Sequence, residues 1–480
     1  MIIPFLIFTN DNVTQMLTIH RATTVCLRCL IPFVLVVTYG LAFASEPCRI
    51  NVIDASNGWP VPLVELRTTH HIRFVSDNAG VIAFDIPEMM NQETWFDIQG
   101  HGYSVAKDGF GFAGIRLRPR PGETLTINVK RALPAKRLGR ITGGGLFAES
   151  QKLGFEVDWH EQGIVGTDSV LNAVHNGKQF WSWGDTILAR YPLGLFHMTG
   201  ATSELMPLVS YQPPLRLRYD YVVDDKGSPR NVADLPGDGP TWLSGCASLP
   251  DKNGVNHLVA TYSKIQPPLD AYQCGLCVWN EERLIFEKTL VLWTKTAASP
   301  SPTIRPMGHP VFWTDELGKE WILFGDPFPA LRCPASFEDW SNPKTWEAMR
   351  PQSSVLSRLQ DEQVIPHRGS IAWNAYRQKW VAIFTQLNGK PSLLGEIWYA
   401  ESEAPTGPWK DAVKVVTHAD YTFYNPKLHP EFTDPKSPIL LFEGTYTKTF
   451  SGSQQPTPRH DYNQILYRLD LDDPQLIAKD

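Results

Sequence analysis

"GTDSVLNAVHNGKQFWSWGDT", Gly166 to Thr186, fixes its own geometry. Asn176-Gly177 is the strongest short hairpin signal a sequence offers, because a type I′ turn needs positive φ at both central residues. That turn sets a register in which Val170 faces Trp183, Asn172 faces Trp181 and Asp168 faces Asp185. Directly opposed side chains lie ~5 Å apart at Cβ, and two carboxylates at that distance repel by about 3 kcal/mol at an effective dielectric near 20, roughly two pKa units. Solvent, a cation, a proton or an arginine must relieve the pair. The hairpin end is either plain surface or a site.

The pattern recurs. "GHPVFWTDELGKEWILFGDP" sets His309 and Asp326 at its ends, at the separation of Asp168 from Asp185. "GCASLPDKNGVNHLVATYS" does so with Cys246 and Ser263, and "HRGSIAWNAYRQKWVAIFTQ" with Gly369 and Gln386, while "YNPKLHPEFTDPKSPILLFEG" runs one residue longer, from Asn425 to Glu443. Further strands follow each, among them "GLCVWNE", "EIWYAESEAPTGPW" and "NQILYRLDLDD". A recurring unit of about four strands is a propeller blade. Five hairpins predict a five-bladed β-propeller over residues 151–480.

Residues 46–133 are β text of another kind, with "RINVIDA", "PVPLVELRT", "IRFVSDNAGVIAFDIP" and "LTINVKR" separated by Gly, Pro, Asn and Asp. They predict a small β-sandwich, and the fold class is all-β. The Gly- and Arg-rich stretch 134–150 reads as a linker or an edge of the next domain, and because blades close on one another a propeller cut near Leu138 is expected to fold alone. Gly109, Gly111 and Gly114 spell the dinucleotide fingerprint, but no βαβ unit surrounds them and no cofactor is expected.

Residues 1–45 carry His20, Arg21 and Arg28 ahead of the apolar run Leu30 to Ala42, closed by Ala42-Phe43-Ala44. This is the pattern of a secretory leader cleaved before Ser45, with Met16 as an alternative start; the apolar run is shorter than the ~20 residues a spanning helix needs. The mature chain is expected to be secreted or periplasmic and free of the membrane. Five cysteines remain (Cys48, Cys246, Cys274, Cys277 and Cys333), an odd and small number for 480 residues, so the core holds the fold and no metal site is expected. A net charge of -6 without any basic block excludes nucleic acid as the natural partner.

In a propeller the starts of first strands, the ends of second strands and the starts of third strands share one face. That face gathers Asp168, Asp185, His309, Asp326, Arg332, His367, Arg368, Glu396, Asn425, Glu443 and Asp461. Mixed-sign clusters of this kind mark functional clefts.

The string "VIDASNGWPVPLVELRT…SDNAGVIAFDIP…GHGY" resembles the carboxypeptidase regulatory-like, transthyretin-like accessory domains, which implies a spacer or stabilising module. Residues from about 150 to 475 resemble the five-bladed propeller glycoside hydrolases of the superfamily that includes families 43, 32 and 62; the likeness rests on the hairpin repeat, Asp168 and "GEIWYAESEAPTGPW". The resemblance implies that Asp168 is base or nucleophile, that a second Asp tunes it, and that a Glu protonates the leaving oxygen. The inner-strand Glu of those families has no counterpart here, and Glu396 is the substitute acid, with Glu443 second. Asp326 joins Asp168 and Glu396 as a catalytic candidate; Asp185, His309, Arg332, His367, Arg368, Asn425 and Glu443 are candidates for binding carbohydrate. Two alternatives stay open: a carbohydrate-binding propeller without catalysis, and a glycoside phosphorylase whose His and Arg side chains bind phosphate.

Overall fold

The protein is described from a computed structural model over residues 46–206, 210–302, 304–358, 362–390, 393–418, 421–449, 451 and 461–477. The leader read at residues 1–45 lies outside them.

The N-terminal strands form two four-stranded sheets. Cys48–Asp54 lies between Val81–Phe84 and Thr124–Arg131, with Tyr103–Ser104 at the edge; the facing sheet runs Arg73–Val75, Glu65–Thr68, Thr94–Gln99, Gly114–Leu117. In Cys48–Asp54 every second side chain is buried, the period-2 signature of a strand with one face on a core. Ile50, Val52, Phe84, Phe96, Ile127 and Val129 fill the space between the sheets, as expected for a β-sandwich.

Five four-stranded antiparallel sheets follow among the described residues. The first runs Val170–His175, Lys178–Trp183, Thr199–Ser203, Asp220–Tyr221; the second Thr241–Pro250, Asn256–Gln266, Asp270–Asn280, Ile285–Thr294. The third runs Val311–Thr314, Glu320–Gly325, Pro329–Pro334, Glu347–Ala348; the fourth Pro366–Asn374, Lys379–Gln386, Glu396–Ser402, Lys410–Thr417. The fifth takes Thr422–Leu428, Ile439–Thr447 and Asn463–Asp470, and completes itself with Lys136–Arg140 from far upstream.

Apolar clusters join neighbouring sheets in cyclic order. Phe180 meets Trp279 and Tyr262 between first and second, Leu276 meets Phe324 between second and third, and Phe328 meets Phe384 and Trp398 between third and fourth. Tyr399 meets Phe423 and Phe442 between fourth and fifth, and Leu466 meets Trp181 and Val170 where the fifth returns to the first. A ring of sheets in which each buries its faces on two neighbours is a β-propeller.

The first hairpin has the register its turn dictates: Asn176 and Gly177 sit at φ 49° and 78°, and Val170 pairs with Trp183. The others shift. Ser263 faces Trp242, not Cys246, along a strand that bulges between Ser244 and Ala247, and His309 donates its N–H to Gly325 O (2.9 Å) rather than facing Asp326. Gly369 pairs with Phe384, and Gln386 with Pro366 across a bulge; Lys427, not Asn425, faces Glu443. Turns longer than two residues set these registers and the bulges shift them further along each pair, neither of which length matching along a sequence detects.

The expectation of a linker at 134–150 is corrected. Lys136–Arg140 is a strand of the fifth sheet and Ala148–Lys152 a helical turn whose Glu149 Oε2 accepts from Ala83 N of the sandwich (2.9 Å). Arg137, buried at 3% exposure, donates from Nη1 to Pro62 O (3.1 Å) and Leu63 O (3.3 Å), from Nη2 to Gly100 O (3.1 Å) and His101 O, and from Nε to Tyr467 OH (3.0 Å). Next to it, Asn78 exchanges both amide bonds with Arg140, and Gly139 at φ 147° passes so close that an added Cβ would stand 2.6 Å from Asn78 Oδ1. Leu63 and Val75 of the sandwich join the cluster between fourth and fifth sheets. A propeller cut at Leu138 loses these ties and uncovers that core.

Arg137→Met leaves four sandwich carbonyls without their donor, and stranded buried polar groups cost ~1–3 kcal/mol each before relaxation. Urea unfolding followed by far-UV and tryptophan signals should show one shared transition in the wild type, and in the variant a midpoint lowered by the equivalent of ~3–5 kcal/mol. Two separate wild-type transitions would show that sandwich and ring do not depend on each other.

Candidate functional site

The inner hairpin of the first sheet continues past Val170 and Trp183: Gly184 N donates to Ser169 O (3.0 Å) and Asp168 N to Asp185 O (2.9 Å). The two aspartates therefore end up side by side, as the turn predicts. At Gly184 a Cβ would meet Asp168 Cβ at 3.1 Å, so the bare glycine leaves room for the half-buried carboxylate.

Asp168 is held from several directions, most of them from the fifth sheet. Its Oδ1 accepts from Tyr424 OH (2.6 Å), Ser169 N (2.5 Å) and Ser169 Oγ (2.8 Å), and its Oδ2 from Tyr462 OH (2.9 Å). Gln464 Nε2 fixes the backbone behind it, at 2.6 Å from Asp168 O. Both phenols are pushed well above the ordinary tyrosine range by burial and by the Asp168 charge, which keeps them as donors.

Asp185 is in the opposite condition. Buried to 7% exposure, its carboxyl is pushed up to about 7, first by desolvation and then by the charge of Asp168, against the opposing pull of the Trp242 indole and the Tyr462 hydroxyl. Tyr462 OH stands 3.5 Å from Asp185 Oδ2, so one hydroxyl bridges the pair. A proton and two phenols therefore relieve the repulsion. Beside them Phe196 and Trp242 meet edge to face with ring centroids 5.8 Å apart, both half-buried.

Of the other residues expected here, Asn425 joins the pair: held at φ 51°, it donates from Nδ2 to Ser169 Oγ. Asp326 forms a second centre with Arg368, accepting from Arg368 Nη1 (2.7 Å) and Gly369 N (2.9 Å); burial raises its carboxyl, opposed by Arg368. His309 is buried, and desolvation together with the cations Lys427, His429 and Arg368 drives it well below the ordinary histidine range. It is neutral at pH 7 and brings no positive charge to the aspartates. Half-buried His367 is lowered in the same way, by burial and by Arg368.

Four candidates are turned elsewhere. Arg332 lies over the Trp321 ring (4.0 Å) and pairs with Glu347 (2.6 Å) on the outer edge of the third sheet. Glu396 is buried but directed to the outermost strand of the fourth sheet, where Lys414 Nζ is 2.5 Å from Oε1. Glu443 lies within the ring, bonded to His429 Nε2 (2.7 Å), whose other nitrogen meets Glu431 (3.1 Å). Asp461 accepts from Lys448 N (2.8 Å).

Sequence reasoning missed Tyr424, Tyr462, Ser169 and Trp242. The first two adjoin Asn425 and Asp461, so the equivalence of strand starts pointed one residue away from each. Among the described residues no cluster of His, Cys, Asp and Glu has the arrangement of a metal site, and the five cysteines are buried and unpaired.

No family model matches the chain, and no curated protein matches it. Solved structures similar to it include an exo-1,5-α-L-arabinanase from a bovine ruminal metagenomic library, at 11% identity over 65% of this chain and 95% of that one, with a TM-score of 0.38. An exo-β-1,3-galactanase from Phanerochaete chrysosporium with galactose shows 7% identity over 65% and 61%, with a TM-score of 0.36. The native arabinanase of Bacillus subtilis shows 11% over 64% and 95%, with a TM-score of 0.33. Likeness this distant carries no argument about chemistry. The propeller assignment rests on the sheet order and the ring of clusters.

The raised carboxyl of Asp185 has a thermodynamic consequence. In the unfolded chain it ionises near its ordinary pKa of 3.8, in the folded chain near 7, so its contribution to stability is complete below pH 4 and is lost as pH rises to about 7. The loss is on the order of 4 kcal/mol. Unfolding free energies measured between pH 4 and pH 8 should fall more steeply for wild type than for Asp185→Asn; parallel curves would mean that Asp185 is ionised throughout.

Proposed function

We propose that this is an exported glycoside hydrolase acting on a poly- or oligosaccharide at the Asp168–Asp185 pair, with residues 1–45 as its leader. One observation carries the reading: two adjacent carboxyl groups in unlike surroundings, Asp168 wrapped in hydrogen-bond donors and Asp185 buried with its carboxyl raised to about 7, the range in which a general acid works at neutral pH. The half-buried rings of Phe196 and Trp242 beside the pair offer a face on which a sugar can stack.

In this reading the Asp168 carboxylate attacks the anomeric carbon while Asp185 gives its proton to the departing glycosidic oxygen. Water then attacks the glycosyl ester, returning a proton to Asp185 and freeing Asp168. Both carboxylates contact Tyr462 OH, at 2.9 Å and 3.5 Å, so these oxygens are closer together than the ~6.5–9.5 Å of inverting pairs. Net retention follows from such spacing. Tyr424 and Tyr462 are positioning residues for Asp168. Glu396, committed to Lys414, has no part in the chemistry, and Asp326 with Arg368 serves to hold sugar hydroxyls across the mouth.

The same commitment of Glu396 favours a second reading, a carbohydrate-binding propeller without turnover, since the acid anticipated from another sheet is not at the pair. The phosphorylase reading loses support because Arg368 is already paired with Asp326.

Asp168→Asn should lower turnover by at least ~100-fold while glycan binding persists. Asp185→Asn should remove the alkaline limb near pH 7 from the rate profile, and aryl glycosides whose leaving group needs no proton should rescue it but not Asp168→Asn. Binding of a glycan by wild type with no turnover, in a panel of plant and algal polysaccharides, would leave the binding propeller.

A further inference from the structure

Beside the carboxylate pair the second sheet holds a cation that lacks a counter-ion. Arg305 is half-buried on the segment that leads from the second sheet into the third, and among the described residues no carboxylate pairs with it. Its Nη2 donates to Ser263 Oγ (3.1 Å), and its buried Nε has no partner. Desolvation pulls the guanidinium below the usual arginine value, opposed by Cys274, whose own thiol is pushed up by burial and stays neutral. An arginine is charged at any working pH, and a partly desolvated charge is costly until an anion meets it.

The backbone that carries it is pinned to the sheet. Pro306 O accepts from Thr261 Oγ1, Gly308 N donates to Ser244 Oγ (2.9 Å), and Gly245 N donates to Gly308 O (3.1 Å). Gly245, at φ 62°, lets the segment lie so close that a Cβ there would stand 2.7 Å from Pro306 O. The guanidinium meets one row of register partners, in which Trp242 faces Ser263 and Ser263 faces Cys274. Trp242 ends this row on the side of the carboxylates: its ring meets Phe196 edge to face, and its indole acts on the Asp185 carboxyl. With opposed Cβ atoms ~5 Å apart, the guanidinium lies within roughly 10 Å of Trp242 Cβ. It stands outside the reacting pair, since Asp185 answers to Asp168, Trp242 and Tyr462, and Arg305 to Cys274.

We propose that Arg305 binds an anionic group, a uronate carboxylate or a sulfate ester, on the sugar next to the one held at Asp168 and Asp185. This rests on the glycoside hydrolase reading and names its substrate class, an acidic polysaccharide. A sugar stacked on Trp242 brings its ring substituents toward Ser263, where a guanidinium with an unpartnered Nε meets the edge of a carboxylate or sulfate. With the chain at a net charge of -6, an acidic polymer is not drawn in from a distance, so its selection is local and falls to this side chain. The separation from the pair also sets inorganic phosphate aside, because an attacking phosphate must stand at the anomeric carbon.

The test gives the full mature chain polygalacturonate, alginate, ulvan and carrageenan, each beside its carboxyl-reduced or desulfated form, together with neutral plant and algal polymers. Wild type should favour the charged member of a pair by at least ~10-fold in kcat/KM, as expected of a charge-assisted hydrogen bond. The kind of pair that shows the preference tells a carboxylate from a sulfate. Arg305→Met should abolish the preference by raising KM, the mark of lost ground-state binding. Arg305→Lys, which keeps the charge without the planar fork, should retain part of it, and decides the matter should the Met variant not fold. A wild type that cleaves glycans without regard to their charge overturns the Arg305 assignment alone, as does a preference that survives both substitutions. Turnover that requires inorganic phosphate, and loses the requirement with Arg305, overturns it in favour of a phosphate site. A wild type that neither binds nor cleaves any glycan, acidic or neutral, overturns the underlying reading and this one with it.

Discussion

The strand Lys136–Arg140 is the constraint on which the rest depends. It completes the fifth sheet beside Asn463–Asp470, and a ring of sheets closes only if its last member is complete. It is also the point where the sandwich is fastened, because Arg137 and Arg140 reach back to Pro62, Leu63, Gly100, His101 and Asn78. A fully buried guanidinium is tolerable when oxygens satisfy its donors. Closure therefore couples two modules through a handful of polar bonds laid over a shared apolar seam.

Closure also builds the site. Asp168 comes from the first sheet, but Tyr424, Tyr462 and Gln464 come from the fifth, so the carboxylate gains its donors only when the last sheet meets the first. The same event buries Asp185 next to a charge, and the cheapest relief is to keep its proton. The axis below repeats the motif in another form: Glu431, held down to about 2 by His429 and Lys427 against its own desolvation, and Glu443 flank the His429 imidazole, a buried ionic knot that joins the fifth sheet to Asn172 of the first.

Legibility followed locality. Asn176-Gly177 fixed both register and the meeting of Asp168 with Asp185, because a two-residue turn leaves the strands no slack. The sandwich and the five hairpins were readable from alternation and punctuation. The registers beyond the first were not, since turns longer than two residues and the bulges near Cys246, Pro366 and Asn425 carry no residue type that sets which residues face each other. Lys136–Arg140 looked like a linker because its glycines and arginines serve the approach of another chain segment, which only the tertiary fold reveals. Glu396 opened a strand as expected, but its direction was set by Lys414 two strand-widths of sequence away. Partners of this kind, like the tyrosines on Asp168, belong to the closed ring and leave no local mark.

The central claim is that burial beside Asp168 raises the Asp185 carboxyl to about 7. Carbon-13 NMR of protein labelled at the aspartate side-chain carboxyls reads this directly, with Asp185→Asn identifying the resonance. The account predicts that the signal lost in the variant titrates near pH 7. A signal that completes its titration near pH 4 would contradict the account.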